Sequence, residues 1–286
     1  EKNLRAYLRK YYAEEVIKKI EKLMIRYVPV DITVRDSEDI SLLKKELGAV
    51  ELPTGTLRLK NQKVLAELEG FKTGKWWVQG ISSAIPVKLL GNIHGLEVLD
   101  LFSAPGGKAM QLISAGAEVS CLDISSKRLE LLKQNLVRME MKAEIIRADI
   151  KKFKTKKKYD IILLDAPCSA SGTILKNKDL IHLNPMERIY SLKKIQESAL
   201  EAAKSWVKDS GRILYSTCSL FPEEGEEQIK NFLMKNKDWK QKEICPDKFG
   251  LDKDWLDKKG ALRLRPDHLF ELGGMDGFYA SLLIKK

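Results

Sequence analysis

The sequence predicts an α/β protein: a parallel sheet with flanking helices, preceded by a small α+β unit. Four apolar, β-branched runs carry the prediction. LEVLDL, AEVSCLD, AEIIRAD and YDIILLD each close on an acid, namely Asp100, Asp123, Asp149 and Asp165. Helical stretches at 107–115 and 125–139 separate the first three runs, and strand–helix–strand at that spacing means parallel strands joined by crossovers. Ligands of such sheets sit outside the carboxyl ends of the strands, so the acids share one functional rim. Residues 1–73 lack this rhythm and are read as a separate small unit, with 74–286 as the main domain.

The elements follow in order. Leu4, Leu8, Tyr12, Val16, Ile20, Leu23 and Tyr27 recur at helical spacing, which predicts one amphipathic helix over residues 1–27. Residues 30–35 read as a strand. Ser37 is placed to cap a helix through Leu47, ended by Gly48. LPTGTLRL and KVLAELEG read as short strands with a turn at Gly55. After the alternating segment, a long helix from Pro185 to Val207 leads into the strand GRILYS, and GFYASLLI at 277–284 makes the last strand.

Composition bounds the class. The chain has 286 residues, 44% of them hydrophobic, enough for a full core, and no apolar run approaches the ~18 residues of a membrane span. The start, EKNLRAYLRKYY, lacks the apolar segment of a secretion signal. Fifty-one Lys and Arg against 40 acids give a net charge of +11, which suits a polyanionic partner. The cysteines, Cys121, Cys168, Cys218 and Cys245, form no CxxC pair, so no metal site is expected. A cytoplasmic, monomeric chain with reduced thiols is the reading.

DLFSAPGGKAM, residues 100–110, joins the first strand of the alternating set to its helix. Gly106 and Gly107 let backbone approach a ligand closely. Ser103-Ala104-Pro105 occupies the first half of what would be a GxGxxG fingerprint, so a nicotinamide dinucleotide is disfavoured and an adenosyl ligand stays open. Asp123 lies at the second strand end, where an acid suits the ribose hydroxyls. Asp149 is placed to face the adenine amino group.

Two cysteines stand just past rim strands: Cys168 in Asp165-Ala166-Pro167-Cys168-Ser169, and Cys218 in Ser216-Thr217-Cys218-Ser219. A lone cysteine near a strand is usually a small core residue. A pair on one rim suits covalent catalysis on a pyrimidine. Carbon 5 of cytosine is a poor nucleophile until a thiolate adds to carbon 6, after which it attacks an electrophilic methyl group. An acid such as Asp165 then bonds the ring nitrogen and amino edge as charge builds. A second thiol or a base helps to remove the carbon 5 proton and expel the first thiol. Glu223, Glu224, Glu226 and Glu227 follow Cys218 and disfavour a thiolate, so a cation is needed, and Lys108 is the expected one.

At these residues the chain resembles the Sun-type (Fmu) family of RNA cytosine-5 methyltransferases, with a texture closest to its small-subunit rRNA branch. VQGISS, DLFSAPGGK, LDISSKRLELLKQNLVRM, LLDAPCSASGTI, YSTCSLFPEEGEEQI and DGFYASLL occur in the family's order. The resemblance implies a Rossmann-like class I methyltransferase domain using S-adenosyl-L-methionine, and an N-terminal unit that binds RNA. It implies a cofactor loop of Phe102, Ser103, Ala104, Pro105, Gly106, Gly107 and Lys108. Asp123 is then the ribose residue, Asp149 the adenine residue, and Arg128 a further family match. It sets Asp165 between cofactor and base, Cys218 as nucleophile and Cys168 as helper of release. The chain departs from the family pattern at Phe102, Ser103 and Gly225, none of them a reacting group.

A cytosine must leave its stack to reach such a cysteine, so looped or single-stranded RNA, rRNA or tRNA, is the expected partner. Lysines at 151–158 and in the N-terminal unit are available to phosphates, while Trp76 and Trp77 read either as core or as base-stacking platforms. The alternatives are a tRNA enzyme, a catalytically silent RNA-binding ribosome assembly factor, and a methyltransferase of DNA or a small molecule.

Overall fold

Five parallel strands form the spine of the main domain in the computed structural model, which describes residues 4–60, 64–182 and 184–286. In chain order the elements are α1 (Leu4–Leu8), α2 (Glu14–Met24), β1 (Val30–Val34), α3 (Ile40–Leu47), β2 (Val50–Glu51), β3 (Leu57–Leu59), β4 (Trp76–Val78), α4 (Ile81–Lys88), β5 (Glu97–Leu101), α5 (Gly107–Ser114), β6 (Glu118–Asp123), α6 (Ser126–Arg138), β7 (Glu144–Arg147), β8 (Tyr159–Asp165), α7 (Pro185–Trp206), β9 (Val207–Thr217), α8 (Glu226–Lys235), β10 (Trp239–Lys242), β11 (Leu262–Leu264) and β12 (Phe278–Lys285). The large sheet runs β10-β12-β9-β8-β5-β6-β7, with β11 paired to β12. Strands β12 and β10 run antiparallel at one side. The predicted alternating strands are therefore all present. Because β5 is flanked by β6 and β8, the loops leaving β5 and β8 diverge at a topological switch point, where a crevice opens.

Burial on both faces explains the near-continuous apolar strands. One core, with Val98, Leu132 and Leu214, packs α4, α5 and α6 on the sheet. The other, with Leu99, Ile162, Ala199 and Trp206, packs α7 and α8 on the opposite face.

The front of the chain differs from the sequence reading in three places. The expected single helix over 1–27 breaks between α1 and α2. The break lets Arg5 pair with both Glu14 and Glu21 at 2.5 Å, and turns Tyr12 to donate to the Leu220 carbonyl. KVLAELEG is not a strand: Leu65–Glu67 forms a single 3-10 turn, and Lys63 lies outside the described residues. Instead Trp76–Val78 supplies the fourth strand of a small antiparallel sheet, β2-β3-β1-β4. Trp76 and Trp77 are 0% and 1% exposed, so both are core. Ser37 lies inside a 3-10 turn and makes no cap, whereas Gly48 ends α3 in the left-handed conformation as expected.

A buried ion pair within the small sheet bonds outward to Ile81 and to the segment 272–274. Arg58 donates Nε to Asp31 Oδ1 at 2.7 Å and Nη2 to Oδ2 at 2.9 Å. Its Nη1 reaches the Leu272 and Gly274 carbonyls, while Ile81 N donates to Asp31 Oδ2 at 3.1 Å. Removing one partner strands a buried charge, at a cost of about 3–5 kcal/mol. Asp31→Ala is expected to lose about that much stability in urea unfolding. A loss under about 1 kcal/mol would show that the pair contributes little to the fold.

Among the described residues no helix is long and apolar enough to cross a membrane.

Candidate active site

The glycine loop leaves β5 through a positive φ at Phe102 (59°) and turns into α5 at Gly106, whose φ of 104° disfavours any side chain. Ser103 N is held by the Leu122 carbonyl at 3.1 Å, and Asn135 Nδ2 donates to the Pro105 carbonyl at 3.0 Å. The loop is thus fixed from β6 and α6 together.

A cavity of about 510 Å³ opens at the switch point. Its walls include Phe102, Ser103, Ala104, Pro105, Gly107, Lys108, Arg128, Asp165, Cys168 and Cys218. Most of the residues that the sequence singled out meet there. Asp123, 1% exposed, stands just outside that wall and ties the loop to α6: it accepts from Ser125 N at 2.9 Å and Ala104 N at 3.3 Å and pairs with Arg128 at 3.2 Å. Arg128 also donates to the Ala104 carbonyl. Asp149 does not end a strand; β7 stops at Arg147, and Asp149 caps the next turn by accepting from Lys151 N at 3.0 Å.

The two cysteines face one another, with Sγ atoms 3.3 Å apart. That is hydrogen-bonding distance and far from a disulfide's ~2.05 Å. The contact with Cys218, and then burial, pushes the Cys168 thiol well above its ordinary range. Cys168 therefore keeps its proton, and it sits within hydrogen-bonding reach of Cys218, the more exposed of the two.

Lys108 does not take the place foreseen for it. Its Nζ donates to Asp165 Oδ2 at 2.7 Å and Ser83 Oγ at 2.8 Å, so it serves the carboxylate rather than Cys218. Ser216 Oγ donates to the other oxygen of Asp165 at 2.8 Å, which fixes the carboxylate plane. The acids after Cys218 are also committed. Glu223 accepts from Tyr7 and Tyr11, Glu226 pairs with Arg263, and Glu227 with Lys193. Arg263 Nη1 in turn holds the Ser219 carbonyl at 2.5 Å, so an arginine braces the turn that carries Cys218.

Glu224 is the residue that sequence reasoning missed. It is fully buried, and accepts from Ser169 N at 2.9 Å, Ser169 Oγ at 2.5 Å and Gln196 Nε2 at 3.0 Å. Gln196 also donates to the Pro167 carbonyl at 2.9 Å. One carboxylate thus pins the Cys168 loop to the segment following Cys218. The only sequence signal was one acid among the four that follow Cys218.

Asp100 is a rim acid to which the sequence alone assigns no role. It is 1% exposed and borders the cavity; Ser103 Oγ donates to Oδ2 at 2.6 Å, while Oδ1 has no partner among the described residues. Burial lifts its carboxyl to about 7. An unpaired buried acceptor beside a glycine loop fits the ammonium end of an amino-acid-bearing nucleoside, while the exposed Ile124 next to Asp123 offers apolar surface to a nucleobase. The sign of the pH effect follows from the lifted carboxyl. Asp100 favours folding fully below its ordinary value of 3.8, and that contribution is lost as pH rises through about 7. Asp100→Asn is therefore expected to raise the melting temperature of the ligand-free protein at pH 8, yet weaken S-adenosylmethionine binding about tenfold or more. Unchanged binding by calorimetry would remove Asp100 from the site.

A doubly wound sheet with a glycine loop, a strand-end acid and an adjacent cavity defines the class of fold: a Rossmann-like sheet whose site suits an S-adenosylmethionine-type nucleoside. The particular family follows from comparison. Residues 88–284 match the family described as 16S rRNA methyltransferase RsmB/F, and the chain belongs to that family. Ribosomal RNA small subunit methyltransferase B of Erwinia tasmaniensis is 34% identical over 80% of this chain and 52% of its own length. The protein of the same name from Shewanella oneidensis is 33% identical over 88% and 58%. The chain thus spans about half the length of the curated relatives it matches. Among solved structures, PH0851 superposes with a TM-score of 0.86 at 28% identity, over 99% of this chain and 65% of its own. NSun6 from Pyrococcus horikoshii, solved with SFG, shares the fold with a TM-score of 0.81 at 21% identity, over 100% and 98%.

Proposed function

We propose that the chain is an RNA cytosine-5 methyltransferase acting on ribosomal RNA in the cytoplasm. The observation that carries the reading is the facing pair of sulfurs beside Asp165, in one cavity with the glycine loop. The names of the small-subunit relatives and the basic charge of +11 support an rRNA substrate. The N-terminal sheet is the unit proposed to carry additional RNA contacts.

The glycine loop, Asp100, Asp123, Arg128 and the segment around Asp149 would hold S-adenosylmethionine, which supplies an electrophilic methyl group. The chain's own residues do the rest. The Cys218 thiolate forms a bond from sulfur to carbon 6 of the extruded cytosine; the pair from the carbon 5–carbon 6 double bond moves between carbons 4 and 5, and the carbon 4–nitrogen 3 pair moves onto nitrogen 3. Asp165, oriented by Ser216 and Lys108, receives the ring nitrogen and amino edge. Once carbon 5 is substituted, a base takes its proton, the double bond re-forms, and the carbon 6–sulfur bond breaks with its pair returning to Cys218. Cys168, 3.3 Å away, steadies the departing thiolate with a hydrogen bond from its S–H.

Methyl-labelled S-adenosylmethionine offered with small-subunit rRNA, tRNA or single-stranded DNA separates the alternatives. Label recovered as 5-methylcytosine in rRNA is the expected result. Label in tRNA supports the tRNA reading. Bound cofactor and bound RNA with no transfer support the assembly factor.

A further inference from the structure

A second groove, of about 510 Å³, opens beside the cysteine cavity. Its size falls within the ~300–1,000 Å³ typical of small-ligand sites. Val78, Gly80 and Lys176 line both spaces, so one runs into the other. Two large side chains stand exposed on its wall, Tyr27 at 46% and Val78 at 50%. Arg26, Lys176 and Lys178 stand exposed along it, Arg26 over the Phe270 ring and Lys176 already paired with an acid. The carboxylate in its wall, Asp31, is committed to Arg58, and Asp276 in the neighbouring cavity to Lys176 at 2.6 Å.

An aromatic face flanked by cations is the chemistry that receives an unstacked base and its phosphate. A base extruded toward Cys218 carries its strand with it, so the neighbouring nucleotide must leave the cavity through an adjoining surface. The groove shared at Val78, Gly80 and Lys176 is such a surface, and its charge matches a phosphate backbone. We infer that this groove holds the nucleotide flanking the target cytosine, its base on Tyr27 and Val78, its phosphates on Lys176, Lys178 and Arg26. The inference rests on the RNA methyltransferase reading and adds a flanking-base subsite built from the junction of the two units.

The probe is a short fluorescein-labelled single-stranded RNA with one cytosine among uridines, and the same RNA made abasic on either side of that cytosine. Binding is read by fluorescence anisotropy with S-adenosylhomocysteine present, so it does not depend on turnover. Methyl transfer by the wild type is scored separately. For the wild type, the abasic change on one side is expected to weaken binding about tenfold. Tyr27→Ala loses the same factor on intact RNA and nothing more on that abasic RNA, while Tyr27→Phe keeps wild-type affinity. Lys178→Glu weakens both RNAs and flattens the salt dependence. The inference is overturned if Tyr27→Ala binds intact RNA as the wild type does, as it would if the groove received a peptide or a second copy of the chain. It is equally overturned if Tyr27→Ala loses affinity equally on both RNAs, or if the wild type binds neither. Binding that behaves as expected without any methyl transfer would instead count against the reaction assigned to the cysteines.

Discussion

Cys168→Ala, given S-adenosylmethionine and substrate RNA, accumulates a denaturant-resistant protein–RNA adduct, while Cys218→Ala forms none and loses at least about 10³-fold in rate. The asymmetry comes from the geometry. Cys218 is the more exposed thiol and faces the cavity; Cys168 is buried, and its contact with Cys218 keeps it protonated. A buried thiol that keeps its proton is a poor nucleophile, and from 3.3 Å its S–H can hydrogen-bond the departing thiolate. Without it, carbon–sulfur bond formation proceeds and cleavage slows, so the adduct builds. Gel electrophoresis in denaturant with labelled RNA reads both variants. Adduct from Cys218→Ala, or its absence from both variants alongside normal turnover, would reverse or remove the assignment.

Gly172→Ala is expected to lose about 3 kcal/mol of stability, and to impair catalysis in whatever folds. Three backbone segments cross at this residue. Gly172 N donates to the Cys218 carbonyl at 2.9 Å, and Gly277 N donates to the Gly172 carbonyl at 2.8 Å. A Cβ on Gly172 would lie 2.0 Å from the Gly277 carbonyl oxygen and 2.9 Å from that of Cys218. Since all of these are backbone atoms, no rotamer relieves the clash, and the strand end carrying Cys218 must move. Urea unfolding gives the stability, and single-turnover methyl transfer on the folded protein gives the chemical cost. A change below about 0.5 kcal/mol with full activity would show that the crossing tolerates displacement.

The main sheet was legible because burial on both faces writes long apolar, β-branched strands, and because Gly106, Asp123, Asp165 and both cysteines fall at strand ends that topology must gather. What stayed hidden depends on partners distant in sequence. The break after α1 is set by Tyr7, Tyr11 and Tyr12 meeting the segment from Leu220 to Glu223, some 200 residues on. KVLAELEG alternates like a strand, yet the position beside β1 goes to Trp76–Val78, whose aromatic rings fill the core. Lys108 shares the rim with both Cys218 and Asp165, and only the fold shows that it bonds the carboxylate. Glu224 belongs to an acidic run that looks solvated; its burial against Ser169 and Gln196 appears only when β8, α7 and β9 pack together.

The central claim is that the Cys218 sulfur attacks a cytosine in RNA. Its most direct measurement is peptide mapping of the complex formed with S-adenosylmethionine and ribosomal RNA transcribed with 5-fluorocytidine, whose carbon 5 fluorine cannot leave as a proton does. The account predicts a nucleotide adduct on the peptide containing Thr217-Cys218-Ser219. An adduct on Cys168, or efficient methyl transfer to ordinary RNA with no adduct on either cysteine, would contradict it.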